Sequence, residues 1–257
     1  MDLNPDWNKA ARDYARYRAG FPDWFFDRLQ AAGLGRGGQK ILDLGTGTGA
    51  LARGFARRGC AVTGIDLSPG MMVEARELDR KAGVDITYRE ARAEATGMED
   101  ATFDLVSAGT CWFWFDAAAA GQEAMRVLKP GGHLLICYLA WLPLPGNVVR
   151  RTEELIERAN PDWKLGNDRP HAAGYLNDLA LAGLGGRESF SVDYDISYSH
   201  EAWRGRIRAS AGIGASLGPD AVAAFDIEHA AMLTKDFPDE PLAVPHRLVA
   251  AIGRKDS

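Results

Sequence analysis

The stretch Ile41-Leu42-Asp43-Leu44-Gly45-Thr46-Gly47-Thr48-Gly49-Ala50 decides how the rest of this chain is read. Its apolar start predicts a buried strand over residues 40–44, which ends in glycines at 45, 47 and 49. A helical stretch follows from Ala50 to Arg58, so the glycines sit at the mouth of a helix. Glycine there permits a tight turn and a close approach of backbone to a ligand, and a helix N-terminus offers free N–H groups. A second strand is expected over 61–66. Its last residue, Asp66, stands 21 positions after Gly45 (66 − 45). That spacing puts a carboxylate beside the turn, where it can take both hydroxyls of a ribose. Gly45-x-Gly47-x-x-Ala50 also fits the dinucleotide fingerprint, whose third place is Gly or Ala. The turn alone therefore leaves the cofactor open.

Working outward, Ser68 and Pro69 open a second predicted helix that runs to Ala82. Further strands are expected over 84–88, 103–108 and 133–138. A helix over 117–128 precedes the last of these, with Pro130-Gly131-Gly132 as the turn between. Strands alternating with helices imply right-handed crossovers: an α/β, Rossmann-like doubly wound fold, its sheet mainly parallel, with helices on both faces. After Tyr138 the pattern loosens at Trp141-Leu142-Pro143-Leu144-Pro145. Helices are expected over 147–159, 172–182, 200–210 and 219–235, and strands over 188–198 and 242–253. The whole reads as one domain, 1–257, with a cofactor-binding core over 36–140. Segments 1–35, 141–185 and 199–238 are expected to form a substrate lid.

The 257 residues carry 30 Lys+Arg and 35 Asp+Glu, a net charge of −5, and 46% are hydrophobic. This suits a soluble domain with a real core. The mild acidity argues against nucleic-acid binding through bulk charge. No apolar run approaches the ~18 residues of a membrane span. The polar start MDLNPDWNKAARDYARY is unlike a secretory signal, so a cytoplasmic location is expected. Cys60, Cys111 and Cys137 are few and far apart, which fits reduced thiols. The histidines at 133, 171, 200, 229 and 246 are scattered, with no metal-ligand spacing, so no metal is expected.

Four segments in series, ILDLGTGTG, GIDLSPGMM, ATFDLVSAG and RVLKPGGHLLI, resemble a class I S-adenosylmethionine-dependent methyltransferase. The likeness is specific over about residues 40–138. It extends back to Tyr14-Ala15-Arg16-Tyr17-Arg18 and forward to Ala93-Glu94, as in the small-molecule branch of that family. It implies S-adenosyl-L-methionine as cofactor. Gly45, Thr46 and Gly47 would approach the methionine half, and Asp43 would brace the turn near its amino group. Arg18 would neutralise its carboxylate, and Asp66 would hold the ribose. Leu67 and Met71 would pack on the adenine, and the Ala93 N–H would meet a ring nitrogen, with Glu94 beside it. Thr110 would close the cofactor site after the fourth strand. Where relatives carry an acceptor for the adenine amine, this chain has Arg92, which can turn outward or pair with a carboxylate.

Methyl transfer from a sulfonium is an in-line displacement, accelerated by orientation and exclusion of water. A base is required only if the nucleophile arrives protonated, and the sequence offers no clear one; relatives can carry a histidine at the place of Phe113. The run Thr110-Cys111-Trp112-Phe113-Trp114-Phe115-Asp116 follows the fourth strand, where open parallel sheets bind ligands. Cys111, Trp112, Trp114 and Tyr14 are therefore candidates to line the acceptor pocket, with packing as the competing reading of both tryptophans. Trp7, Tyr17, Phe21 and Trp24, the stretch 141–168 and the helices near Trp203–Leu233 would supply the rest. The expected partner is a small, partly aromatic or apolar acceptor, as in secondary metabolism, with oxygen, nitrogen, sulfur and carbon all open as the methylated atom. Monomer and homodimer both remain open. A nicotinamide-dependent oxidoreductase and a non-catalytic cofactor-fold module are the alternatives.

Overall fold

A computed structural model describes residues 6–163 and 172–256. Of the sequence expectations, His171 and the end of the 141–168 stretch fall outside these residues. The apolar runs form strands β1 (Lys40–Leu44), β2 (Ala61–Asp66), β3 (Thr87–Glu90), β4 (Phe103–Gly109), β5 (Leu128–Trp141), β6 (Gly185–Tyr198) and β7 (Leu242–Arg254). They make one sheet in the order β3-β2-β1-β4-β5-β7-β6. The pairs β1–β2, β1–β4, β2–β3 and β4–β5 are parallel. The bonds Leu142 N–H to Pro245 O and Lys255 N–H to Gly132 O, running in opposite senses, set β5 and β7 antiparallel. Strand order reverses between β1 and β4, the crevice where such sheets bind ligands.

The helices begin where the sequence supplies caps. They are α1 (Trp7–Tyr17), α2 (Asp23–Ala31), α3 (Ala50–Ala56), α4 (Pro69–Ala82), α5 (Ala117–Val127), α6 (Val148–Ala159), α7 (Ala172–Leu181), α8 (His200–Arg208) and α9 (Pro219–Asp236). The Ser68 hydroxyl accepts from the Met71 N–H at the start of α4, and Asp116 accepts from two N–H groups at the start of α5. Such caps are worth about 1 kcal/mol each.

Several boundaries differ from the sequence reading, β6 for instance starting at Gly185 and not 188, and two of the differences have a plain local cause. β3 begins at Thr87, not 84, because Gly83 ends α4 in the left-handed region and the Val84 N–H bonds back to Asp79 O. Residues 84–86 thus complete a helix end. Pro130-Gly131-Gly132 lies inside β5: Phe103 pairs with Leu128 and Leu105 with His133, so the intervening residues bulge out of the ladder.

The chain forms two compact units. The larger comprises Gly20–Leu139, Pro170–Val192 and Leu248–Ser257; the smaller comprises Met1–Ala19, Ala140–Arg169 and Asp193–Arg247. α2 and α7, which the sequence reading put in lid segments, belong to the larger. Phe25, Phe26 and Leu29 bury one face of α2, and Phe26 meets Phe55 of α3 edge-on, with centroids 5.3 Å apart. Tyr175 and Leu179 of α7 join the core of Leu42, Ile65, Val106 and Leu134. The smaller unit has its own core of Val149, Ile156, Trp203, Ile207, Phe225 and Leu233.

Candidate active site

Within the larger unit the glycine turn and the loop after β4 meet on either side of the strand-order reversal. A Cβ placed on Gly45 would come within 3.0 Å of Cys111 and Phe115. Gly47 is different. Its φ is +55°, and the nearest atom to an added Cβ is Met71 Cε at 3.9 Å. Among the described residues only that methyl comes within 4 Å of the position, so the glycine serves the backbone conformation.

Asp66 is fastened to that turn. Its Oδ2 accepts from the Gly47 N–H at 2.8 Å and its Oδ1 from the Ser68 N–H at 2.8 Å. Burial pushes its carboxyl up, against the pull of the Ser68, Gly47 and Leu67 N–H groups. It is thus a partly buried brace, and not the exposed strand tip that its position in sequence implies. Asp43, fully buried, accepts from Thr46 Oγ1 and Ser107 Oγ, each at 2.7 Å. Desolvation raises it to about 6 despite both hydroxyls. Ser107 was not singled out from sequence; it is the lone hydroxyl in the buried strand Phe103–Gly109, in register with Asp43.

Around this pair, Met71 is buried and Leu67 is exposed at 57%. Ala93 is buried, and Arg92 turns outward to Glu94, Nε to Oε2 3.3 Å. Glu94 Oε1 also accepts from the Asp116 N–H, so it ties the loop after β3 to the N-terminus of α5. Thr110 holds φ at +61°, rare for a β-branched residue and costing about 1–3 kcal/mol. Its N–H donates to Cys137 O and its Oγ1 accepts from the Leu139 N–H, which together fix it.

The aromatic run separates by exposure. Trp112, in a turn of 3-10 helix over Trp112–Trp114, is 3% exposed and donates from Nε1 to Asp178 Oδ2 at 2.9 Å. Trp114 is partly buried, while Phe113 is exposed at 39% and meets Tyr138 edge-on. Cys111 is buried, donates to Leu44 O, and has its thiol held well above the usual range by desolvation. Tyr14 and Arg18 lie in the smaller unit, where the Arg18 guanidinium covers the Tyr14 ring at 4.7 Å. Among the described residues no cluster of His, Cys, Asp and Glu could hold a metal ion, and no helix is long and apolar enough to cross a membrane.

Residues 42–136, the glycine turn through β5, match a family described as a methyltransferase domain. A malonyl-[acyl-carrier protein] O-methyltransferase of Enterobacter lignolyticus is 34% identical over 198 residues, covering 74% of this chain and 70% of that protein. The chain belongs to the class I S-adenosylmethionine-dependent methyltransferases. This methyltransferase is also similar to a ubiquinone biosynthesis O-methyltransferase of Xanthomonas axonopodis, 30% identical over 70% of the chain and 74% of the relative. Its fold matches that of a putative type II methyltransferase from Anaeromyxobacter dehalogenans, with a TM-score of 0.60 at 20% identity over 93% of this chain and 98% of that one. The cofactor of the family, S-adenosyl-L-methionine, settles the ambiguity left by the glycine spacing.

Proposed function

We propose that this methyltransferase transfers the methyl group to a small, partly apolar acceptor by in-line displacement. The observation that carries the cofactor's placement is the outward-open Gly47, tied through its N–H to Asp66. In this reading the Gly45-Thr46-Gly47 backbone lies along the methionine half, and Asp66 accepts from the ribose hydroxyls. Asp43 faces the cationic amino group, exposed Leu67 and buried Met71 cover the adenine, and the Ala93 backbone with Glu94 borders it. Thr110 closes the far side of the crevice. The bound sulfonium supplies an electrophilic methyl group; the chain's part is to orient and to exclude water. Phe113 and Trp114 are the accessible aromatics after β4, and ring faces there attract a sulfonium by ~0.5–2 kcal/mol. Cys111, buried and protonated, is assigned to packing under the turn and not to chemistry, as is Trp112.

The two named relatives methylate oxygen, on a malonyl group carried by a protein and in ubiquinone biosynthesis. Oxygen is the acceptor atom this chain is proposed to share with them. The test is transfer of isotopically labelled methyl from S-adenosylmethionine to a panel of small carboxylic acids and phenols, beside equilibrium binding of S-adenosylmethionine, S-adenosylhomocysteine and NAD. Labelled ester or ether is the expected product. Cofactor binding with no transfer to any oxygen acceptor would overturn the acceptor reading and favour the non-catalytic module; binding of NAD alone would overturn the cofactor's placement.

A further inference from the structure

The exit of β4 departs from the regular parallel ladder at one residue. Gly109 pairs with Cys137, so the next rung joins Thr110 and Tyr138. A regular rung there would carry two bonds, from the Thr110 N–H to Cys137 O and from the Leu139 N–H to Thr110 O. The first is present, at 2.8 Å. In the second, the Leu139 N–H donates to Thr110 Oγ1 instead, at 3.3 Å. The side chain stands in for the main-chain carbonyl. The φ of +61° permits the exchange, because rotation about N–Cα carries the carbonyl off the ladder line and brings the side chain toward it.

Threonine is a costly residue for this conformation. Glycine holds a left-handed turn without strain, and asparagine bears it better than any β-branched residue. What threonine adds is the hydroxyl. Without it the buried Leu139 would leave an N–H unpaired, unless the chain returned to the extended form and the residue 110 carbonyl rejoined the ladder. The hydroxyl thus makes a left-handed turn compatible with a completed ladder.

That turn starts the run Cys111–Phe115, which is seated on the glycine turn. Cys111 Sγ donates to Leu44 O at 3.1 Å, and Cys111 and Phe115 fill the space beside Gly45, each 3.0 Å from where a Cβ would stand. Bonds from the Trp114 N–H to Cys111 O and from the Phe115 N–H to Trp112 O stiffen the run. Its far end is tied at Asp116, which caps α5 and whose N–H donates to Glu94. An extended residue at 110 would continue the line of β4 and lift the run from this seat.

We propose that Thr110 is a positioning residue: its hydroxyl replaces a ladder carbonyl and so holds the left-handed turn that sets Cys111–Phe115 against the glycine turn, as one wall of the methyl-transfer crevice. The crevice's part in methyl transfer rests on the function proposed above; the seating of the run does not.

The experiment compares the full chain with Thr110→Val, Thr110→Ser and Thr110→Gly. Three quantities are read: melting temperature, calorimetric affinity for S-adenosylhomocysteine, and the rate at which iodoacetamide labels each cysteine, mapped by peptide mass. Thr110→Val keeps the shape, loses the hydroxyl and disfavours the turn. It is expected to be labelled at Cys111 at least about tenfold faster than wild type, and to bind S-adenosylhomocysteine at least about tenfold more weakly, the scale of one buried hydrogen bond. Cys137, buried in β5, is expected to stay protected. Thr110→Ser, which retains the hydroxyl, is expected to restore both properties. Should Thr110→Val fail to fold, Thr110→Gly carries the test, since it bears the turn without strain and lacks the hydroxyl; the same changes are expected in smaller degree. Wild-type protection of Cys111 in the folded Val or Gly protein would overturn the proposal, whatever the melting temperature. So would Thr110→Ser behaving as Thr110→Val, or faster labelling of Cys111 and Cys137 alike, which marks general loosening. Faster labelling at Cys111 alone with unchanged affinity would uphold the seating and overturn the cofactor's placement beside the run. A wild-type chain with no affinity for S-adenosylhomocysteine would overturn the cofactor reading, and the labelling would still decide the role of Thr110.

Discussion

The larger unit builds its site from backbone; the smaller builds its interior from side chains meeting side chains. Around the glycine turn, positive-φ glycines set the path and the Gly47 and Ser68 N–H groups seat Asp66. In the smaller unit, Trp203 Nε1 donates to Thr152 Oγ1, and the same hydroxyl shares a hydrogen bond with His229 Nε2 at 3.1 Å. The two designs place charge differently as well. The larger unit desolvates an acid, Asp43, and the smaller desolvates two bases, His229 and His246. A site made of backbone must stay open to a ligand that brings its own hydrogen-bonding groups, whereas side-chain networks close on themselves.

The sharpest way to break this contrast is within the turn itself. At Gly47 an added Cβ meets only Met71 Cε, at 3.9 Å, among the described residues, so Gly47→Val should fold, losing about 1–3 kcal/mol to dihedral strain, yet bind no cofactor. Gly49→Ala should do the reverse: its Cβ would fall 2.3 Å from the Tyr88 hydroxyl, itself bonded to Asp79, costing about 2–5 kcal/mol. Melting temperature and cofactor affinity on both variants check this. A Gly47→Val protein with wild-type affinity breaks it.

Acid should act with opposite sign on the buried Asp43 of the larger unit and on the buried His229 and His246 of the smaller. The folded pKa values of His229 and His246 lie at about 4, below the usual 6.5. The stability that goes with their neutral forms is present above 6.5 and is lost as pH falls toward 4, on the order of 3 kcal/mol for each. Asp43 is raised to about 6 from 3.8, so its contribution is full below 3.8 and is lost as pH rises through 6. Melting temperature should therefore fall between pH 6.5 and 4, less steeply in His229→Leu and more steeply in Asp43→Asn. Equal slopes in all three proteins would contradict the burial of these charges.

The smallest effect separates the two tryptophans. Trp112→Phe removes the bond to Asp178 in a packed position and should cost about 1–3 kcal/mol of stability, leaving acceptor kinetics near wild type. Trp114→Phe should change the acceptor Michaelis constant or turnover more than the melting temperature. Kinetics altered by the Trp112 change alone would reverse the assignment.

The backbone-built half was legible in sequence because its requirements are local. Glycines at 45, 47 and 49 and an acid 21 residues on leave few geometries, and β1, β2, β4, α4 and α5 follow within a residue or so of their apolar spans and caps. Ser107 was hidden because a lone hydroxyl in an apolar strand carries no signal until the register sets it against Asp43. The Trp112 indole reads as a pocket residue from its neighbours, and only its bond across 66 positions to Asp178 places it in the core. Arg206 was invisible for the same reason. Nothing in HEAWRGRIR distinguishes it from Arg204 and Arg208, until the helix turns one arginine inward over Trp141 and the others to carboxylates.

The central claim is that Asp66, seated on the glycine turn, holds the cofactor's ribose. Calorimetric titration of S-adenosylhomocysteine into wild type and Asp66→Ala tests it most directly. The carboxylate's bonds to ribose hydroxyls are worth ~1.5–3 kcal/mol, so affinity should fall about ten- to a hundredfold, with melting temperature lowered because the Gly47 and Ser68 N–H groups lose their acceptor. Unchanged affinity in a folded Asp66→Ala protein would contradict the account.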